Sequence, residues 1–227
     1  MLALKTAAYE ANMFLVEHNL TFLTWGNASA FDAGRGIMAI KPSGVPYRKL
    51  SPENMVVLDS DGTVVAGRLR PSSDAPTHLR LYQAFPGIGG ITHTHSRWGT
   101  IWSQMQHPIP PLGTTHADYF AGDIPCTHLL SQAETESAYE KATGDAIVKA
   151  IGERNPLHVP AVLVAGHGPF TWGKTALDAA EHALILEEVA NMAWHTLALE
   201  QDCALPGHIS ARHFSRKHGP GAYYGQR

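Results

Sequence analysis

Gly89-Gly90-Ile91-Thr92-His93-Thr94-His95-Ser96 decides how this chain is read. Residues 90–94 predict a short buried strand. On a strand, residues two apart face the same side, so His93 and His95 present two imidazoles together. A helix is expected to follow at once, over residues 96–104. Further along, the apolar residues 161–165 predict a second buried strand, which leads into Val164-Ala165-Gly166-His167-Gly168-Pro169. Glycines on both sides of His167 let the backbone turn tightly and bring a third ring inward.

Outward from these strands, residues 2–16 carry Leu4, Ala8, Ala11 and Leu15 at helical spacing. Residues 22–25 and 36–40 predict short strands separated by a Gly/Asn/Asp-rich turn. Residues 55–58 and 63–66 flank Asp61-Gly62, a hairpin signal. A helix is expected over 76–84, with Pro76 tolerated in its first turn. Ser131 and Glu134 have capping-box spacing ahead of a helix running toward Ile151, and 175–199 predict a long helix. Residues 215–227 are basic and rich in Gly and Tyr. Strands and helices intermingle without repeat or linker, which predicts one α/β domain over residues 1–227.

Composition narrows the function. The 227 residues are 44% hydrophobic and 16% charged, with a formal net charge of −3, which argues against nucleic acid or an acidic membrane surface as main partner. Cys126 and Cys203 are far apart and in no paired motif, as suits a reducing cytoplasm. No signal-peptide core and no uncharged membrane-length run is evident, so a soluble cytoplasmic protein is expected. No dinucleotide fingerprint is present. The 14 histidines stand out. His93, His95 and His167, with a carboxylate available from Asp74 in Pro71-Ser72-Ser73-Asp74, suit zinc, and also accept manganese or cobalt. Gly26-Asn27, Lys41-Pro42-Ser43-Gly44 and Ser72-Ser73 have the small residues, hydroxyls and charge to hold a phosphate.

Taken in order, these segments resemble the class II (metal-dependent) aldolase family in its epimerase branch. The likeness runs through Thr24-Trp25-Gly26-Asn27, Ile40-Lys41-Pro42-Ser43-Gly44 and Pro71-Ser72-Ser73-Asp74-Ala75-Pro76-Thr77-His78. It continues through Gly113-Thr114-Thr115-His116-Ala117-Asp118-Tyr119-Phe120, His167-Gly168-Pro169-Phe170 and Ala222-Tyr223-Tyr224-Gly225-Gln226. The resemblance implies a three-layer α/β/α fold with a central, largely antiparallel sheet, in a homotetramer with active sites between subunits. It implies zinc on Asp74, His93, His95 and His167, and substrate phosphate at Gly26, Asn27, Lys41, Ser43, Gly44, Ser72 and Ser73. It assigns acid/base chemistry to Asp118 and Tyr224, with support from Thr114, Glu140 and His213. The activity implied is interconversion of L-ribulose 5-phosphate and D-xylulose 5-phosphate by reversible cleavage of C3–C4. Two neighbouring readings are an aldolase that releases its aldehyde and a non-catalytic domain of adducin type. Asp74, where such aldolases carry Glu, favours the epimerase over the first; four retained candidate ligands weigh against the second.

Overall fold

The computed structural model describes residues 1–219 and 221–225. In chain order its elements are α1 (Leu2–Glu17), β1 (Asn27–Asp32), β2 (Ile37–Ile40), β3 (Val56–Asp59), β4 (Val64–Ala66), α2 (Ala75–Ala84), β5 (Gly90–His93) and α3 (Arg97–Met105). Then come α4 (Thr114–Ala117), α5 (Gln132–Ser137), α6 (Tyr139–Ile151), β6 (Ala161–Val164), β7 (Gly168–Gly173), α7 (Ala176–Leu199) and α8 (Gly207–Lys217). The strands make one sheet in the order β4-β3-β2-β1-β5-β7-β6. Every neighbouring pair is antiparallel.

Period-two alternation divides the core into layers. Met38, Ile40, Val56, Leu58, Val162 and Val164 pack with Leu79 and Leu81 of α2 and Ile147 and Ile151 of α6. Their strand neighbours Ile37, Ala39 and Val57 turn to the other face, where Ala8 and Ala11 of α1 and Ala176 and Ala180 of α7 cover them. Ala161 and Leu163 continue that face toward Trp102 of α3 and Leu186 of α7. This is the expected α/β/α arrangement around an antiparallel sheet. Among the described residues no helix is long and apolar enough to cross a membrane.

Two glycines let α7 lie against the sheet. Gly90 and Gly173 are cross-strand partners. A Cβ at Gly90 would stand 2.3 Å from the Ala176 Cα, and one at Gly173 would stand 2.4 Å from the Asp178 Cβ. Backbone cannot yield as a flexible side chain does, so Gly90→Ala is expected to destabilise the fold by about 3 kcal/mol or more. Urea unfolding measures it; a loss under about 1 kcal/mol would mean that α7 shifts aside at little cost.

Several sequence expectations need correcting. Residues 22–25 form a turn, not a strand: Leu23 has φ 53, and Phe22, Leu23 and Trp25 are exposed. The strand is β1, inside the stretch read as a turn. Its Ala28 and Ala30 are small because α1 lies over them, and the Asn12 side chain donates to the Ala28 carbonyl and accepts its N–H. The helix expected from Ser131 to Ile151 is interrupted at Ala138 (φ −139, ψ 75), although the Ser131/Glu134 capping box forms as read. β7 was not anticipated, since Pro169 argues against a central strand. Neither was α8, in the basic C-terminal stretch.

Candidate metal centre and phosphate pocket

Register builds the centre. His93, the last residue of β5, pairs with Asn27 on one side and Phe170 on the other. Its ring stacks on Phe170 at 4.2 Å. Its Nδ1 lies 2.9 Å from the Pro169 carbonyl, which only accepts. The proton is therefore on Nδ1, and Nε2 offers a lone pair. That lone pair meets the His95 Nε2 at 3.2 Å. His167 follows Gly166, whose φ of 71 turns the chain between β6 and β7, and completes the group. The ligand atoms of the three rings lie within 4.8 Å of one another.

Burial pushes all three imidazoles below the usual histidine range, and for His93 the neighbouring rings push in the same direction while Asp74 opposes. Neutral rings are what a metal requires. At 3.2 Å the His95 Nε2–H can donate to the His93 Nε2 lone pair, and with that proton removed both nitrogens offer lone pairs to a metal ion. The donor set thus fits a metal ion.

Asp74 lines the same cavity but lies outside the group of three rings. It stands at the N-terminus of α2 without capping it. Its carboxylate instead accepts from the Asn27 side chain at 2.6 Å. Burial alone would raise its pKa; the rings of His93 and His78 and the Asn27 amide outweigh that and hold it low.

The cavity is about 350 Å³. Besides the imidazoles it is lined by Gly26, Asn27, Lys41, Ser43, Gly44, Ser72 and Ser73, so every residue read as a phosphate contact faces this one space. An antiparallel bridge between Pro42 and Pro71 joins the two loops. It commits two amides: Ser43 N–H donates to Arg70 and Ser72 N–H to Lys41. Those serines therefore offer hydroxyls rather than backbone donors. Gly26 is required by close approach, since a Cβ there would lie 2.8 Å from the His93 carbonyl. Lys41 donates to the Thr24 carbonyl and lies over the Tyr47 ring.

The remaining candidates gather elsewhere. Both oxygens of Asp118, just after α4, are held by α8: Arg216 grips them at 2.9 and 2.6 Å, and His213 Nδ1 lies 3.0 Å from Oδ1. Tyr224 sits beside them with its ring over Arg216 and Lys217. Thr114 accepts the Asp118 N–H. None of these residues lines the cavity of its own chain. Glu140 is in the first turn of α6, where its carbonyl accepts from Thr77. Its neighbour Tyr139 reaches the metal group, with its hydroxyl 3.4 Å from His167 Nδ1. Sequence reasoning missed Tyr139, an aromatic at a helix start with no local signal. Trp25, also on the cavity wall and 5.9 Å from the His95 ring, was quoted but given no role.

Comparison with known proteins finds relatives along the whole chain. The chain is 51% identical, over 100% of both sequences, to the L-ribulose-5-phosphate 4-epimerase UlaF of Salmonella paratyphi A and to that of Salmonella typhi. Among solved structures, an L-fuculose 1-phosphate aldolase superposes with a TM-score of 0.80 at 27% identity, over 94% of this chain and 95% of that one. The enzyme of that name from Glaciozyma antarctica PI12 shares the fold at 18% identity, with a TM-score of 0.79 over 97% and 84%. The family described as Class II Aldolase and Adducin N-terminal domain matches residues 6–194, and this chain belongs to it.

Proposed function

We propose that this protein is an L-ribulose-5-phosphate 4-epimerase, an isomerase of the cytoplasm. The observation that carries the reading is one cavity lined both by three converging imidazoles and by Lys41 with serine hydroxyls. Full-length identity to curated epimerases supports the substrate. His93, His95 and His167, with Asp74, would hold zinc. The ion would supply positive charge beside the ketone, lowering the cost of the negative charge that appears when C3–C4 breaks.

The chain's own residues do the rest. Lys41, Ser43, Ser72 and Ser73 hold the phosphate, while Gly26, Asn27 and Gly44 let it approach the backbone. A base takes the C4 hydroxyl proton, and C4=O forms as the C3–C4 bond breaks. The released pair becomes the C2=C3 bond of an enediolate with the charge on the C2 oxygen, and glycolaldehyde phosphate rotates. The enediolate C3 then attacks the other face of the aldehyde carbon, the C2 ketone re-forms, and an acid protonates the new C4 oxygen. Asp118 and Tyr224 serve one face each, with Thr114 and His213 steadying Asp118 and Glu140 acting near Tyr139. Because Asp118 and Tyr224 lie outside their own chain's cavity, they act on that of a neighbouring subunit in a homotetramer. Exposed Met105, Met192 and Trp194 on α3 and α7 suit such contacts.

The test is D-xylulose 5-phosphate formation from L-ribulose 5-phosphate. Accumulation of free dihydroxyacetone would favour an aldolase, and no turnover would favour a binding domain.

Lys41 adds a pH prediction. Burial pushes its ammonium down to about 8, with Asp74 opposing. It is charged below that pH and neutral above it, while the substrate phosphate stays ionised throughout. KM should therefore rise as pH passes through about 8 with kcat changing little. A KM flat from about pH 7 to 9 would remove Lys41 from phosphate binding.

A further inference from the structure

Asp118 and Tyr224 are 106 positions apart, yet Arg216 and Lys217 of α8 each touch both, and Arg216 alone grips both carboxylate oxygens. We propose that Arg216 is a positioning residue that locks Asp118 and Tyr224 into a single acid/base unit; this rests on the epimerase reading above. Arg216 Nε donates to Oδ1 of Asp118 at 2.9 Å and Nη2 to Oδ2 at 2.6 Å. A planar fork on both oxygens fixes the carboxylate's rotation as well as its place. The carbonyl of the same residue accepts the N–H groups of Tyr223 and Tyr224, at 2.9 and 3.1 Å. Its guanidinium lies 5.2 Å from the Tyr224 ring centroid. Side chain and backbone of Arg216 thus hold the acid and the phenol at once.

The other groups around Asp118 hold it at single points. His213 meets Oδ1 alone. Lys217 stands 3.7 Å from Oδ2 and lies over the rings of Tyr119 and Tyr224. His218 donates to the Asp118 backbone carbonyl, and from α4 the Thr114 carbonyl accepts the Asp118 N–H. Burial would raise the Asp118 pKa, but the Arg216 hydrogen bonds, then His213 and Lys217, outweigh it and hold the carboxyl below the usual range. Loss of the fork therefore moves that titration upward and frees both partners to rotate.

The experiment compares the zinc-loaded full chain with Arg216→Ala and Arg216→Lys. Arg216→Ala is expected to lower kcat by about 100-fold with KM changed by less than about threefold, since misplacing a reacting group costs on that order. The acid limb of its kcat profile should move to higher pH. Arg216→Lys restores the charge but not the fork, so it should return the acid limb only in part while kcat stays low. A role limited to stability would lower melting temperature and active fraction and leave the acid limb in place, overturning the proposal. The Asp118 carboxyl, followed by carbon-13 NMR, is an independent readout. If its titration does not move in Arg216→Ala, Arg216 loses its role even where the epimerase works. If the unsubstituted protein does not turn over L-ribulose 5-phosphate, the reaction assigned above fails instead.

Discussion

Chelation of the bound metal is expected to lower epimerisation of L-ribulose 5-phosphate by at least about 1,000-fold, and stoichiometric zinc should restore it. The magnitude follows from the chemistry: a Lewis-acid cation contributes several kcal/mol to stabilising developing charge, and about 4 kcal/mol corresponds to a thousandfold in rate. The centre offers no substitute, since its three rings are neutral and present lone pairs, and Asp74 adds negative charge. Among the described residues Lys41 is the cation lining the cavity, and the proposal commits it to the phosphate. The fold should survive, because the strands that carry the ligands are held by their own ladders. Metal analysis with a circular dichroism spectrum separates loss of zinc from loss of structure. A metal-free preparation with full activity would dismantle the proposed chemistry.

Asp118→Asn is expected to reduce turnover by about 100- to 10,000-fold, the usual contribution of a positioned acid or base, with zinc content unchanged. The two side chains are nearly the same shape, so the neighbours can stay in place. What changes is charge and proton affinity. Asn cannot take a hydroxyl proton, and it leaves Arg216, His213 and Lys217 facing a neutral amide.

A stability signature should accompany the kinetic one. The folded-state pKa of Asp118 is depressed, so its stabilising contribution is present above the unfolded carboxyl pKa of about 3.9 and is lost as pH falls through the folded value. The melting temperature of Asp118→Asn should therefore lie below that of the unsubstituted protein at pH 7, and the difference should shrink toward pH 3. Normal turnover in this variant would remove Asp118 from the acid/base role.

The sequence carried much of the architecture because the signals are local. Short apolar runs in residues 37–40, 56–59 and 161–164 mark strands buried on both faces, and such runs are a property of a residue and its near neighbours. The Ser131/Glu134 capping box and the glycines around His167 are local in the same sense. Errors came where a neighbour distant in sequence decided the outcome. Asn27-Ala28-Ser29-Ala30 looks like a turn by composition, yet it is a strand because α1 needs small residues beneath it and Asn12 satisfies Ala28. Pro169 sits in a central strand, where its carbonyl accepts from His93 Nδ1 and fixes the tautomer of that ring.

By itself, then, the sequence determined the α/β class, the His93/His95 pair at the end of a strand with His167 on a glycine turn, and the short polar segments suited to a phosphate. Only the tertiary structure decided that Asn27 braces the Asp74 carboxylate, that Tyr139 reaches His167, and that α8 folds back so Arg216 grips Asp118 from 98 positions away. Periodicity records which face of an element is buried, but it carries no information about which distant element covers that face.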